Sequence, residues 1–371
     1  MINFEMTNEE KIVILGSRIT FSQKNKDSLR ELCIKDIDWY NVFNIAIKNK
    51  VATLVWYNLM KLKLENKIPH KLERIIYFYY IGTKKRNKAY INDMKKILSI
   101  LQENNIYSAP LKGGYLIPNM YKDYGIRTIS DVDCLVKRSD VSRIISIMES
   151  LNYTQGDYDY QSNSIQPIDR EKQILWKMNM NNLYPFKKIS KSEYFKFIEV
   201  DFCFSLDLNL DLSPVEVMIS EIQEDNDFGL YTLKPSHFFV HLCCHLFKEA
   251  TNTMWIVLEN DLNLIKFCDV REYMLNNMDE DMKKEAIEFA KDNHLEKAIY
   301  FTIYYLKEIY NDGYEDELIE QLEISNDSFI NMYGERDYGE GVEWSKSFWH
   351  RIFDNSNKDE LKKGVRYLEL D

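Results

Sequence analysis

Paired cysteines are missing from this chain. Its six cysteines, Cys33, Cys134, Cys203, Cys243, Cys244 and Cys268, include no Cys-x-x-Cys spacing. Most sit in apolar runs, as buried free thiols do, so the expected setting is a reducing cytoplasm. No apolar run approaches the roughly 20 residues that a membrane span needs, so no membrane partner is expected. The N-terminal Met1-Ile-Asn-Phe-Glu-Met6 has no basic region followed by an apolar stretch, so no signal peptide is expected. The GxxxxGK[ST] spacing of a Walker A loop is absent, as is HExxH, and no Ser/His/Asp triad can be read from the spacings. Positive charge is also scarce: 48 Lys and Arg stand against 59 Asp and Glu, a formal net charge of -11. That argues against a broad nucleic-acid surface and leaves room only for a local basic groove.

What remains is ordinary globular material. The chain has 371 residues, 45% of them hydrophobic and 29% charged, enough for a sizeable core and two or three structural units. Residues 1–105 read as helical. Trp39, Val42, Phe43 and Ala46 fall on one stripe, Leu54, Val55 and Leu59 on another. A long helical stretch from Lys71 to Leu101 carries Leu72, Ile75, Tyr79, Ile91, Met94, Leu98 and Leu101. Its middle, Thr83-Lys-Lys-Arg-Asn-Lys88, is basic: a solvated face, or a positive wall near a phosphate site.

The character changes over residues 106–234. Ile106–Leu111 reads as a buried strand ended by Gly113-Gly114, with a short helix from Tyr115 to Tyr121 limited by Pro118. A second strand is expected at Ile129–Val136, then a helix capped by Ser139 with Ile144, Ile145, Met148 and Leu151 as its buried stripe. A strand is expected at Gln173–Met180 and another at Tyr194–Ser205. Strands interleaved with helices indicate a small mixed α/β sheet. Residues 235–371 turn helical again, at His237–Ala250, Asp261–Asn276, Met282–Asn293 and Leu295–Tyr310. An acidic, irregular tail follows from Asn311, anchored by Trp344, Phe348 and Trp349. No internal repeat or low-complexity linker is present. The expected class is α+β, a small mixed-sheet core flanked by N- and C-terminal helical segments.

Chemistry is concentrated in Arg127-Thr-Ile-Ser-Asp-Val-Asp-Cys-Leu-Val136. Strand side chains alternate faces. Asp131, Asp133 and Leu135 would share one face, leaving Val132, Cys134 and Val136 to anchor the sheet. Phe197-Ile-Glu-Val-Asp-Phe-Cys-Phe204 repeats the pattern: Ile198, Val200, Phe202 and Phe204 are apolar, Glu199, Asp201, Cys203 and Ser205 polar. If the two strands are neighbours, Asp131, Asp133 and Asp201 converge. Converging carboxylates repel and desolvate one another, and a divalent cation removes that cost. Mg²⁺, or Mn²⁺ in its place, takes oxygen ligands from a few carboxylates and substrate phosphates. Two ions roughly 3.5–4 Å apart would stabilise the attacking and leaving oxygens of a phosphoryl displacement. Lys112-Gly113-Gly114 supplies the complement, with glycines that let backbone amides approach a phosphate and a lysine to neutralise it. Arg127 and Ser130 lie just before the acids, where they could contact phosphate oxygens.

Leu111-Lys-Gly-Gly114, Leu116, Tyr121, Gly125-Ile-Arg127 and Ser130-Asp-Val-Asp-Cys-Leu-Val136 together resemble the signature of the polymerase-β-type nucleotidyltransferase superfamily. They more closely resemble the bacterial uncharacterised nucleotidyltransferase family, with its LKG…GxRxxxDxDxLV core. Ile37-Asp-Trp39 with Ala46 and Val51 looks like that family's helical N-terminal part. Leu233-Lys-Pro-Ser-His-Phe-Phe-Val-His-Leu242 with His245 is similar to its helix after the core. The resemblance implies a polymerase-β-type core, two-metal nucleotidyl transfer, and Asp131 and Asp133 as the metal pair. Asp201 matches a family position usually continued as VDLHW. Here the run is Val-Asp-Phe-Cys-Phe, so Cys203 stands where the family has His. The spacing from glycines to acids is also longer than in the compact superfamily pattern.

The leading expectation is therefore transfer of a nucleoside monophosphate from an NTP such as ATP to an acceptor hydroxyl on a small molecule, peptide or protein, with release of pyrophosphate. The same arrangement resembles nucleotidyltransferase toxins of type IV toxin–antitoxin systems, which keeps tRNA as an alternative acceptor, supported locally only by Lys84–Lys88. A third reading is a non-catalytic nucleotide-binding or scaffolding protein, though no carboxylate and no Lys112 has been lost. His237, His241 and His245 recur at i, i+4 and i+8 on one expected helix with Cys244 beside them. They read as core histidines, with zinc or a helper role near the cleft as the sharper option. No obligate protein partner is inferred.

Overall fold

The computed structural model describes residues 5–226, 228–354 and 356–362. The class is α+β: helices toward both ends of the chain, a mixed six-stranded sheet between them in sequence. Two compact units are present. One runs Phe78–His241; the other combines the chain up to Tyr77 with the chain from Leu242 onward.

The second of these units is helical and is built from both ends of the sequence. Asp38 caps the helix Trp39–Lys48 by accepting from the amides of Tyr40 and Asn41, and Trp39, Val42, Phe43 and Ala46 are buried on its inner stripe. Buried polar contacts tie the early residues to the late ones. Glu272, fully buried, accepts from the amide of Ile19 at 2.8 Å and the hydroxyl of Thr20 at 2.8 Å. The Tyr310 hydroxyl donates to the Ser17 carbonyl at 2.8 Å. Arg271 sits between Glu272 and Asp312. A buried charge left unpaired here would cost several kcal/mol, so these pairs favour one register between the two ends. The tail departs from expectation: it is ordered into short elements, including helices Glu315–Gln321 and Phe348–Phe353 and the strand pair Met332–Tyr333 with Val342–Glu343. Trp344 and Phe348 are buried, and the Phe348 ring stacks on Tyr305 at 4.0 Å.

The α/β unit carries six strands: β1 (Ser108–Pro110), β2 (Val132–Val136), β3 (Thr154–Asp159), β4 (Ser164–Pro167), β5 (Phe186–Ile189) and β6 (Phe197–Cys203). Their order is β1-β2-β6-β5-β3-β4. β2 and β6 are parallel, and every other neighbouring pair is antiparallel. A parallel pair needs a crossover; here it includes the helix Val141–Ser150, whose Ile144 and Met148 are fully buried. Val132, Cys134 and Val136 of β2 and Ile198, Val200 and Phe202 of β6, with Phe204 just beyond, enter one core with Ile91, Met94, Leu98 and Leu101 of the helix His70–Glu103. The alternation expected for these strands is the alternation that the core uses.

Four local expectations fail. Ser139 does not cap the following helix: it lies inside the tight turn Arg138–Asp140, and the helix Val141–Ser150 starts after Asp140 with no side-chain cap. Gln173–Met180 is not a strand but lies largely in the helix Arg170–Asn179, whose N-cap Asp169 accepts from the Lys172 amide. Its Glu, Lys, Gln, Leu and Met content favours helix. On the long helix, Ile75 and Tyr79 are exposed at 60% and 39%, while Leu72, Ile76 and Tyr80 are buried. Both sets have helical spacing, so periodicity alone could not choose the face. The second strand starts at Val132, leaving Asp131 on a bend just before it.

Candidate active site

β2 and β6 run parallel with Asp133 opposite Asp201. Neighbouring strands lie about 4.8 Å apart, and residues paired in register on one face project side by side. The two carboxylates therefore face each other across one strand spacing. Asp133 is buried, 4% exposed. Its Oδ1 accepts from Lys112 Nζ at 2.8 Å. Lys112 begins the short helix Lys112–Leu116 with a left-handed backbone, φ 43°, a conformation that a non-glycine residue adopts only when its surroundings hold it there.

Asp201 is held from the other side. The Asn182 amide donates to both its oxygens, at 2.8 and 2.7 Å. Asn182 is kept beside the end of β6 by a bridge to Cys203, and flanking contacts join Leu183 to Phe202 and Asn181 to Phe204. Burial pushes the Asp201 carboxyl up to about 8, helped by the negative charges of Asp133 and Asp131 and opposed by Lys112 and Asn182. Two residues earlier on the same strand and face, Glu199 is pushed up to about 7 by burial, with Lys187 opposing; their charged ends lie 3.4 Å apart.

Asp131 remains partly exposed, and its Oδ1 accepts from the Ser130 hydroxyl at 2.9 Å. Its charge reaches Asp201 and Glu199. Among the described residues, the His, Cys, Asp and Glu atoms close enough to share one ion are those of Asp133, Asp201 and Cys203, mutually within 4.8 Å. Asp131 lies outside that trio. The donor set fits a divalent cation: two side-by-side carboxylates, one with its proton affinity raised by the other's charge, are the situation that a cation relieves.

Gly113 and Gly114 are buried rather than arranged as an open loop. A Cβ on Gly113 would come within 2.2 Å of Arg127 Nη1 and of Ile129, and one on Gly114 within 2.7 Å of Met94 Sδ. The first glycine thus makes room for the Arg127 guanidinium, itself buried. The loop that carries Arg127 is gripped from the long helix. Asn87 donates to the carbonyls of Tyr124 and Arg127 at 2.8 and 2.6 Å. Tyr80 and Lys84 engage Asp123, and the Tyr80 ring packs where Gly125 has no side chain. The basic stretch 83–88 thus splits: Thr83 and Asn87 face inward, and Lys85 and Lys88 stay exposed.

His237 and His245 have acidic neighbours of their own. His237 and His241 are buried, with His237 Nε2 3.7 Å from Glu221, and His245 Nε2 lies 3.4 Å from Glu249. They do not join the close ion-ligand group among the described residues. Asn182 is the residue that sequence reasoning missed. It lies in a polar stretch, Met180-Asn-Asn-Leu183, with no spacing relation to the acids, and only the bridge to Cys203 brings it to Asp201.

Searches of curated proteins and of solved structures return no match to this chain. A family model does match, over residues 35–311, a span that includes the whole sheet, both aspartate strands and the helices on either side. By that match, the chain belongs to the family described as uncharacterised nucleotidyltransferase.

Proposed function

We propose that this protein is a metal-dependent nucleotidyltransferase that moves a nucleoside monophosphate from an NTP to an acceptor hydroxyl and releases pyrophosphate. The observation that carries the reading is the register pairing of Asp133 with Asp201, with Lys112 bonded to the first and Asn182 to the second. Two Mg²⁺ or Mn²⁺ ions, when bound, would neutralise triphosphate oxygens and raise the acidity of the acceptor hydroxyl. Asp133 and Asp201 would hold them with Asp131, which lies on the bend before β2, less buried than Asp133, where it could meet a substrate-bound ion.

In the transfer, the acceptor oxygen forms a bond to the α-phosphorus as the bond to the pyrophosphate oxygen breaks. The proton leaving the acceptor passes to an Asp201 oxygen or to solvent. Asn182 fixes the orientation of Asp201 during this step. Lys112, released from Asp133 when cations take over its role, would turn to the phosphates. Arg127 and Ser130 supply further donors to phosphate oxygens. The main work is positioning and charge stabilisation, as phosphoryl-transfer chemistry requires.

The test is Mn²⁺-dependent binding of each NTP, followed by turnover with pooled metabolites, peptides and labelled tRNA as acceptors. Metal-dependent NTP binding that vanishes in the Asp131→Asn, Asp133→Asn double variant, with its circular dichroism unchanged, supports the reading. Unchanged binding and turnover in that variant would sink it. Label appearing on tRNA would assign the acceptor to the toxin-like alternative.

A further inference from the structure

Cys203 is the part of this centre that the nucleotidyl-transfer reading leaves unused. It is 7% exposed and follows Asp201 by two residues on β6, so its side chain projects from the same face. Its sulfur lies within 4.8 Å of ligand oxygens on both Asp133 and Asp201. An ion between a sulfur at about 2.3 Å and an oxygen at about 2.1 Å spans most of that distance, so small side-chain shifts close a three-ligand shell. Oxygen-only sets suit Mg²⁺ and Mn²⁺; a thiolate in the shell shifts preference toward Zn²⁺ and its softer relatives.

We propose that Asp133, Asp201 and Cys203 form a thiophilic metal position, one that takes Zn²⁺ or Cd²⁺ in preference to the hard cations that turnover uses. The thiol proton is released to solvent as sulfur binds the ion. Zn²⁺ seated there would hold the two strand carboxylates and deny them to Mg²⁺, so Zn²⁺ would inhibit rather than activate. The inference rests on the nucleotidyltransferase reading only for that last consequence; the binding itself rests on the three side chains.

The experiment is metal binding by full-length protein without nucleotide, with Zn²⁺, Cd²⁺ and Mn²⁺ each added alone. Nearly every nitrogen, oxygen or sulfur site favours Zn²⁺ over Mn²⁺, so the decisive quantity is the change between variants. Cys203→Ser is expected to weaken Zn²⁺ and Cd²⁺ by about 10–100-fold while leaving Mn²⁺ within about twofold. Wild-type protein with one equivalent of Cd²⁺ should show sulfur-to-cadmium charge-transfer absorption in the ultraviolet that Cys203→Ser loses, the comparison that sets Cys203 apart from the five other free cysteines. Equal loss for all three ions in Cys203→Ser, no loss for Zn²⁺, or no charge-transfer band in the wild type would each overturn the proposal. Mn²⁺-dependent NTP binding measured on the same protein separates the two readings. Its presence without a Cys203 effect removes only this inference. Its absence with a clear Cys203 effect removes only the nucleotidyltransferase reading.

Discussion

Asp133 and Asp201 occupy opposed positions of one parallel strand pair, β2 and β6, so each carboxylate is the other's nearest register partner. Everything chemical in the α/β unit is arranged around that pair: Lys112 on one acid, Asn182 on the other, Cys203 beside both. Two like charges placed together in a partly buried site raise one another's proton affinity. The pair is therefore a local cost to the folded protein and, under the proposed function, the source of metal affinity.

That cost has a pH signature. The Asp201 carboxyl is raised from an ordinary 3.8 to about 8, with burial the largest cause. A group whose folded-state pKa is raised stabilises most below its unfolded value and loses that contribution as pH rises through the folded value. Without metal, melting temperature should fall between pH 4 and pH 8 by more in wild type than in Asp201→Asn. The stabilisation given by Mn²⁺ should grow over the same interval, because binding displaces the proton. A Mn²⁺ shift independent of pH would contradict this.

Lys112 supplies the positive charge beside Asp133, which the proposed function assigns to a metal ion during turnover. Lys112→Met removes the partner of a 4%-exposed carboxylate. Removing one partner of such a buried pair costs about 3 kcal/mol. Chemical denaturation in the presence of a chelator should show a loss of that order, and Mn²⁺ should recover more stability in the variant than in wild type. Turnover should still fall, since the proposed function also gives Lys112 a role at the triphosphate.

Asn182 acts through Asp201 and is a positioning residue. Asn182→Ala should reduce kcat by about 10–100-fold, the usual effect of losing a partner that orients a metal ligand, with KM for the NTP little changed. Asn182→Asp places a third carboxylate against Asp201 and should be worse than alanine. A fall in KM-linked binding alone would make Asn182 a substrate contact instead.

Gly113→Ala tests the packing role of the glycine pair. The new methyl would meet Arg127 Nη1 and Ile129 at 2.2 Å, so one of them must move, at about 1–3 kcal/mol for overpacking. Because Arg127 is the nearer polar group, NTP affinity should drop together with stability. A stable variant with unchanged NTP affinity would show that Arg127 has no part in binding.

Much of this centre was legible in the sequence. The alternation of Val132, Cys134, Val136 against Asp133, and of Ile198, Val200, Phe202 against Glu199 and Asp201, follows from the pleat of a strand with one face in the core. The helical stripes around Trp39 and Leu98 follow from the 3.6-residue period. The helix Arg170–Asn179 is not legible from burial periodicity, because none of its residues is buried. Ile75 and Ile76 could not be ranked, because neighbouring helical faces differ only in what packs on them.

By itself the sequence determined the aspartates, the faces of their strands and the family to which they belong, since these depend on local periodicity and on residue order. Only the tertiary structure decided that β2 and β6 are adjacent, parallel and in register at Asp133 and Asp201. It alone put Asn182 on Asp201 and replaced Asp131 by Cys203 in the closest ligand group. Those choices are made by pairing across some sixty residues of intervening chain, where hydrogen-bond registry and a shared core, rather than any local propensity, select the partner.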